Sequence, residues 1–385
     1  MTDEMRTRRL RLGMVGGGQG AFIGDVHRMA ARLDGEYELV AGALSSDPDR
    51  ALASARELGI ADDRSYADFR EMARAEGQRD DGIDAVAVVT PNHVHHPVAM
   101  AFLEAGIHVI CDKPMTVTSD ESRELIAAAE TADRVLAVTY NYSGYPMIRQ
   151  ARSMVADGEL GRIRLVQAEY VQDWLADAVE ATGNRQASWR TDPARAGAGG
   201  CIGDIGTHAY HLACFVTGLE LEALAADLST FVEGRQLDDN AALLLRFRGG
   251  AKGMLWASQV AVGNQNNLSL RIYGDKGGLS WRQQAPNELW FTPLGGDPRM
   301  ITRGGSSAGQ AAQRVTRVPG GHPEGYLEAF AGIYTEVARA IRAHDAGEAL
   351  DSHVLFPAGL DGLHGVEFVE AAVRSSRDGA SWVDV

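Results

Sequence analysis

The sequence predicts an α/β half built on a parallel sheet over residues 1–146, followed by an α+β half with an open, mainly antiparallel sheet over 147–385. Three observations predict this. Strand-like and helix-like runs alternate up to residue 139, the pattern of a parallel sheet covered on both faces. From residue 163 onward, longer alternating runs are joined by short turns such as Arg248-Gly249-Gly250 and Gly274-Asp275-Lys276-Gly277, as in antiparallel sheets. A chain of 385 residues, 45% hydrophobic, can fill two cores of ordinary size.

In the first half, 10–15 reads as a strand, 20–33 as the helix after it and 37–44 as a second strand. Helices follow over 48–58, opened by Pro48 and stopped near Gly59, and over 68–75. Residues 85–89 are small or β-branched throughout, as a strand buried on both faces requires. A helix over 97–105 stops at Gly106, and 108–111 is a strand. Ser119 is expected to cap a helix over 119–132, and 135–139 closes the series. In the second half a helix at 148–156 precedes strands at 163–172, 221–232, 241–248, 251–262, 268–273 and 278–282, interrupted by one helix at 203–217. Residues 293–323, rich in Gly, Ser, Pro and Arg, read as a long surface loop that orders over a ligand. Helices at 323–343 and 357–376 end the chain and are expected to pack back on the first half.

A formal net charge of −15 repels nucleic acid and anionic membrane surfaces. The three cysteines, Cys111, Cys201 and Cys214, are odd in number and lack metal-like spacing, which points to a reducing compartment without disulfides. Residues 1–9 carry no apolar segment before a cleavage site, so no secretory signal is expected. No apolar run approaches the roughly 18 residues of a membrane span. These features predict a soluble, cytoplasmic protein.

Gly16, Gly18 and Ala21 fit the phosphate-binding turn G-x-G-x-x-[GA] between a strand and a helix. Gly16 permits the tight turn, Gly18 lets backbone approach a pyrophosphate, and Ala21 is small enough for the helix to pack on the strand. The helix N-terminus then offers N–H groups to phosphate. Gly16, Gly18, Gln19, Gly20, Ala21, Phe22 and Ile23 are therefore expected to bind a dinucleotide in a Rossmann domain. A plain glycine turn is the bland alternative. Ser45, Ser46 and Arg50 stand near the end of the second strand, where an acidic residue usually binds the ribose diol. One cation flanked by Asp47 and Asp49 suits a diol better than a 2′-phosphate, which favours NAD over NADP. A helix cap at Ser46 or Asp47 fits the same residues.

Ligands of parallel sheets lie beyond the carboxyl ends of the strands. Thr90, Pro91, Asn92 and His95 follow the strand 85–89 and are placed to face the nicotinamide end of the cofactor. His93, His95 and His96 cannot all point inward and no carboxylate adjoins them, so no metal is expected. Asp112 and Lys113 end the next strand, with Pro114 stiffening the turn. A lysine there can reach a substrate hydroxyl or the nicotinamide ribose, so Asp112 and Lys113 are also expected to bind the cofactor, and the ammonium can stabilise alkoxide character as hydride leaves; a solvated surface lysine is the alternative. Asp204 and His208, four apart after the glycines of 197–203, share one helix face. The imidazole can accept a hydroxyl proton, although such a pair is more often a simple surface pair.

The glycine turn, Asp112-Lys113-Pro114 and Gly203-Asp204-Ile205-Gly206-Thr207-His208 together resemble the glucose–fructose oxidoreductase/inositol dehydrogenase (Gfo/Idh/MocA) family in order and spacing. The family's lysine motif usually reads Glu-Lys-Pro, and here Asp112 keeps the charge. The resemblance implies catalytic roles for Lys113, Asp204 and His208: His208 as general base, Lys113 positioning the reacting hydroxyl, Asp204 in support. Which of Lys113 and His208 takes the proton stays open. Segments around Tyr142, Gln172, Trp174, Trp189, Arg190 and 321–326 are similar to a sugar-dehydrogenase subgroup. That implies substrate contacts from Tyr142, Gln172, Trp174, Trp189, Arg190, Asp204 and His208, and oxidation at C3 of levoglucosan or a glucoside. Core packing is the alternative for the aromatic residues. The implied activity is NAD-dependent oxidation of a secondary hydroxyl of a sugar or cyclic polyol, in a homodimer or homotetramer. A keto-sugar or imine reductase using NAD(P)H and a non-catalytic cofactor-binding regulator are the alternatives.

Overall fold

The computed structural model describes residues 8–385, so the reading of the N-terminal segment as leaderless lies largely outside the described residues. The chain forms two compact units. One takes the described residues up to Thr116, Asp120–Asn141 and Phe330–Leu363; the other takes Val117–Ser119, Tyr142–Ala329 and His364–Val385.

The first unit is a five-stranded, all-parallel sheet. Its strands are β1 (Leu10–Gly16), β2 (Tyr37–Ala43), β3 (Ala85–Val89), β4 (His108–Cys111) and β5 (Leu136–Val138), in the order β2-β1-β3-β4-β5. The helices between them are α1 (Phe22–Leu33), α2 (Pro48–Glu57), α3 (Phe69–Gln78), α4 (His95–Glu104) and α5 (Ser119–Ala132). Every residue of β3 is buried, in keeping with its Ala/Val composition. Val98, Phe102 and Leu103 of α4 pack into the same fully buried core. The strand order reverses between β1 and β3, which places a ligand crevice beyond their carboxyl ends. The edge of β5 is covered: Val138 N–H donates to Pro357 O at 2.8 Å.

Two expectations need correction here. The fourth helix opens at His95, because Pro97 occupies its first turn, where a missing N–H does no harm. Ser119 is the first helical residue, and its N–H and hydroxyl both donate to Glu370, each at 2.9 Å.

In the second unit, α6 (Pro146–Ala156) leads into a nine-stranded sheet. Its strands are β6 (Ile163–Val171), β7 (Leu221–Ser229), β8 (Asn240–Phe247), β9 (Lys252–Ser258), β10 (Asn267–Gly274), β11 (Gly277–Arg282), β12 (Glu288–Pro293), β13 (Arg299–Thr302) and β14 (Val383–Asp384). The order is β13-β12-β11-β10-β6-β9-β8-β7-β14, parallel at β6/β9 and antiparallel at every other pairing. Short helices α7 (Arg185–Arg190) and α8 (Pro193–Ala196) precede α9 (Thr207–Thr217), and α10 (Gln310–Gln313) follows β13; α11 (Tyr326–Asp345), mostly in the first unit, and α12 (Gly359–Arg377), mostly in the second, precede β14.

The expected surface loop at 293–323 instead carries β13 and α10. Arg303, 2% exposed, organises it, donating to Asn287 Oδ1 at 2.6 Å, Val318 O at 2.6 Å and Glu324 Oε1 at 2.9 Å. A buried cation satisfied this completely fixes the segment around it. No helix among the described residues is long and apolar enough to cross a membrane. Cys111, Cys201 and Cys214 are thiols outside any disulfide.

Candidate active site

In the first unit, the expected cofactor residues gather at the carboxyl edge of the sheet. Gly16 takes φ +82°, and a Cβ there would meet Val89 O at 2.8 Å, so the turn passes directly over the end of β3. Ala21 precedes the first turn of α1 without a side-chain cap, which leaves helix N–H groups for an anion. The close helix–strand packing expected of Ala21 falls instead to Gly24, where a Cβ would meet Gly17 O at 2.5 Å. Gln19 turns toward α2: its N–H donates to Ser54 Oγ at 3.2 Å and its side chain to Glu57 at 3.0 Å. Phe22 is exposed and Ile23 partly so. Arg28 donates to Gly17 O at 2.6 Å and steadies the turn from behind.

Asp47 caps α2, accepting from Arg50 N–H at 3.0 Å, while Ser45 Oγ accepts from Asp47 N–H at 3.1 Å. Ser46, just past β2, and Arg50, in the first turn of α2, are exposed. The hydroxyl of Thr90 is buried with no hydrogen-bond partner. An orphaned oxygen at the crevice, glycines whose Cβ atoms would collide with neighbouring backbone and an uncapped helix N-terminus together fit a dinucleotide. Pro91 and the buried Asn92 complete that loop. His95 serves inside the protein: it is 1% exposed, with Nδ1 2.7 Å from Pro114 O and Nε2 2.8 Å from Thr90 O. His96 does have an adjoining carboxylate, Glu124 at 3.0 Å.

Asp112 Oδ1 accepts from Lys113 N–H at 2.8 Å and from the Thr139 hydroxyl at 2.9 Å. Behind it stands His27, fully buried, with Nδ1 2.8 Å from the Tyr334 hydroxyl and Nε2 4.0 Å from Asp112 Oδ2. Burial pushes the His27 pKa down to about 4, so the ring is neutral at physiological pH. Spacing along the chain gave no hint of His27, Thr139 or Tyr334. A further histidine cluster joins His108 Nε2 and His344 Nδ1 to Asp345 Oδ1 at 3.2 and 3.1 Å. Val135 N–H donates to His108 Nδ1 at 2.9 Å. That fixes the neutral ring's proton on Nε2 and removes the lone pair a metal would need.

In the second unit, the structure brings the seven expected substrate-side residues into one connected cluster. Asp204 lies on a π-helical turn, Ile202–Gly206, just before α9. The glycine run before it lets backbone pass close by, since a Cβ on Gly200 would sit 2.1 Å from Asp238 O. Asp204 Oδ2 accepts from Arg190 Nε at 3.0 Å and from Gln259 Nε2 at 2.8 Å. The Arg190 guanidinium lies over Trp189 at 4.2 Å and within 5.8 Å of Trp174. Trp174 Nε1–H donates to Gln172 Oε1 at 3.1 Å, and Gln172 Nε2–H to Asn266 Oδ1 at 2.6 Å. Asn266 Oδ1 also accepts from Tyr170 at 2.8 Å, and the Tyr170 and Tyr142 hydroxyls lie 2.5 Å apart. His208, 8% exposed, meets the Tyr142 ring edge-on with centroids 4.9 Å apart. Burial raises the pKa of both tyrosines, keeping them as neutral phenols.

Tyr170, Gln259 and Asn266 were not singled out from the sequence. Tyr170 could have been, two places before Gln172 on the same strand run; Asn266 sits in a polar turn with nothing to distinguish it from Asn264 or Asn267.

Comparisons with known proteins show what the chain is similar to as a whole. Residues 10–140 match a family model described as an oxidoreductase family with an NAD-binding Rossmann fold, and 148–280 match the GFO/IDH/MocA C-terminal domain. The chain is similar to the crystal structure of an oxidoreductase from Sinorhizobium meliloti, at 55% identity and a TM-score of 0.89 over 98% of this chain and 100% of that one. It is also similar to an inositol dehydrogenase homolog from Azotobacter vinelandii complexed with NADH and myo-inositol, at 37% identity and a TM-score of 0.93 over 98% of both chains. Levoglucosan dehydrogenase of Pseudarthrobacter phenanthrenivorans is 29% identical over 98% of both chains. A glycine turn at the switch point of a parallel sheet and these matches along both units lead to one assignment: the chain belongs to the Gfo/Idh/MocA family of oxidoreductases and carries its NAD-binding Rossmann domain.

Proposed function

We propose that this chain is an NAD-dependent dehydrogenase that oxidises a secondary hydroxyl of a sugar or cyclic polyol to a ketone. The observation that carries this reading is the cluster joining His208, Tyr142, Gln172, Trp174, Trp189, Arg190 and Asp204. Flat aromatic surfaces beside fixed donors and acceptors suit a ring with an apolar face and outward hydroxyls. A similar structure complexed with myo-inositol and a relative named for levoglucosan support the reading. Within that class we assign oxidation at C3 of a glucose-configured ring, levoglucosan or a glucoside.

Gly16, Gly18 and the start of α1 would hold the diphosphate, Ser46 and Asp47 the ribose, and Thr90 to Asn92 the nicotinamide end. NAD supplies a hydride acceptor when bound. His208 takes the hydroxyl proton, Lys113 stabilises developing alkoxide charge, and Asp204 orients the substrate through a neighbouring hydroxyl. The O–H proton goes to His208 and the carbinol hydride would go to the bound nicotinamide, so the product would be the ketone.

We further propose a homodimer or homotetramer formed through the open sheet face, with a second copy of this chain as the occupant. Leu165, Leu244, Met254, Trp256, Tyr273, Trp290 and Met300 are exposed, and strand register puts them all on one face. A cytoplasmic location fits three cysteines held as thiols.

The test is NADH formation by the purified chain with levoglucosan, methyl glucosides, myo-inositol and non-carbohydrate secondary alcohols. Turnover on the ring polyols, abolished by Lys113→Ala, supports the reading. Turnover confined to non-carbohydrate alcohols, or cofactor binding with no turnover on any of them, overturns it.

A further inference from the structure

We propose that His95 is a positioning residue whose ring ties the loop after β3 to the loop after β4 and so holds Lys113 in place at the carboxyl edge of the sheet. The two strands are parallel neighbours, paired as far as Val88 and Cys111, and Asp112 N–H extends the ladder to Val88 O at 2.9 Å. Past that point the ladder stops. Lys113 N–H turns back to its neighbour Asp112, and Pro114 has no N–H to give. Loops beyond a strand end are ordinarily the most mobile parts of a sheet.

The His95 ring takes over where the ladder ends. It reaches Pro114 O at 2.7 Å on one side and Thr90 O at 2.8 Å on the other. An imidazolium donates to both carbonyls; the neutral ring donates to either one. In each form the ring fills the space between the two loops, at 1% exposure. Its own backbone opens α4, which is anchored by the fully buried Val98, Phe102 and Leu103. The carbonyl it grips belongs to the residue next to Lys113, so a rigid helix is coupled to the backbone that carries the ammonium. A displacement of about 1 Å at such a group can lower turnover on the order of a hundredfold.

The tie itself is independent of chemistry; its effect on turnover rests on the proposed role of Lys113. His95→Phe keeps the bulk and removes the ring's hydrogen-bonding nitrogens, whereas His95→Gln restores an amide with two N–H donors. In the full-length protein, His95→Phe should speed amide hydrogen exchange of residues 112–116 by about tenfold or more while leaving α3 unchanged. It should lower kcat about 10- to 100-fold while KM and NADH affinity change less than about threefold. His95→Gln should recover most of both losses. In the unmutated protein, NMR should find a His95 ring proton exchanging far more slowly than those of the exposed His93. Unchanged exchange at 112–116 in His95→Phe, no recovery in His95→Gln, or a fast-exchanging His95 ring would overturn the proposal. Turnover surviving Lys113→Ala would remove the reading of Lys113 and leave the exchange result standing.

Discussion

Arg190 binds Asp204 and lies over Trp189: Nε donates to Asp204 Oδ2 at 3.0 Å while Cζ lies 4.2 Å from the indole centroid. Lysine can supply the charge but neither the fork nor the flat face. Arg190→Lys should therefore raise KM for the polyol about tenfold and change kcat less than about threefold. Steady-state kinetics check this, and a collapse of kcat at constant KM would contradict it.

The proposed proton and charge roles separate from cofactor binding. His208→Asn and Lys113→Ala should each lower kcat by about a hundredfold or more. NADH affinity, followed by fluorescence titration, should move by less than about threefold in either variant, since both are assigned to the reacting hydroxyl.

Gly24 packs so closely on the glycine turn that a Cβ would lie 2.5 Å from both Gly17 Cα and Gly17 O. The obstruction is backbone, which cannot rotate away. Gly24→Ala should destabilise the protein by about 2 kcal/mol and weaken NAD binding. Denaturant midpoints and cofactor titration measure both effects.

His27 gives a pH signature. Its folded pKa of about 4 lies below the ordinary 6.5, mainly through burial, with Asp112 opposing and Arg28 and His95 reinforcing. The unfolded chain binds the proton more readily, so stability rises with pH across this window. The contribution, about 3 kcal/mol, is fully present above the unfolded pKa and is lost as pH falls through the folded one. His27→Gln should flatten that part of the stability–pH curve, which denaturation at a series of pH values would reveal.

The sheet-face assembly predicts that Met254→Arg or Trp256→Glu, both on exposed positions of β9, shifts the protein toward monomer in analytical ultracentrifugation. An unchanged oligomer would remove that face from consideration.

Elements with strong local signals were legible. β3 and β4 were read residue for residue, because an all-buried parallel strand needs a continuous apolar run. The glycine turn was legible because its geometry is local, although Gly24, one turn into α1, carries the packing assigned to Ala21. What stayed hidden depends on distant partners. The Gly- and Arg-rich composition of 293–323 conceals β13, because Arg303 is buried by carbonyls and carboxylates from up to about twenty residues away. Asn266 meets Tyr170 and Gln172 only through the pairing of Asn267 with Val171. His95 reads as a ligand for the cofactor until its two carbonyl partners, one of them in the next loop, are seen.

Tyr334 receives the Tyr37 hydroxyl on its carbonyl and meets His27 with its own, while Pro357 caps β5. Both belong to the last sixth of the chain. A ribosome must therefore translate the second unit's strands through β13 before the parallel sheet can close, and the nascent nucleotide-binding half emerges with an open strand edge and an unfilled flank. Any truncation upstream of these residues leaves that half for chaperones and proteases to handle.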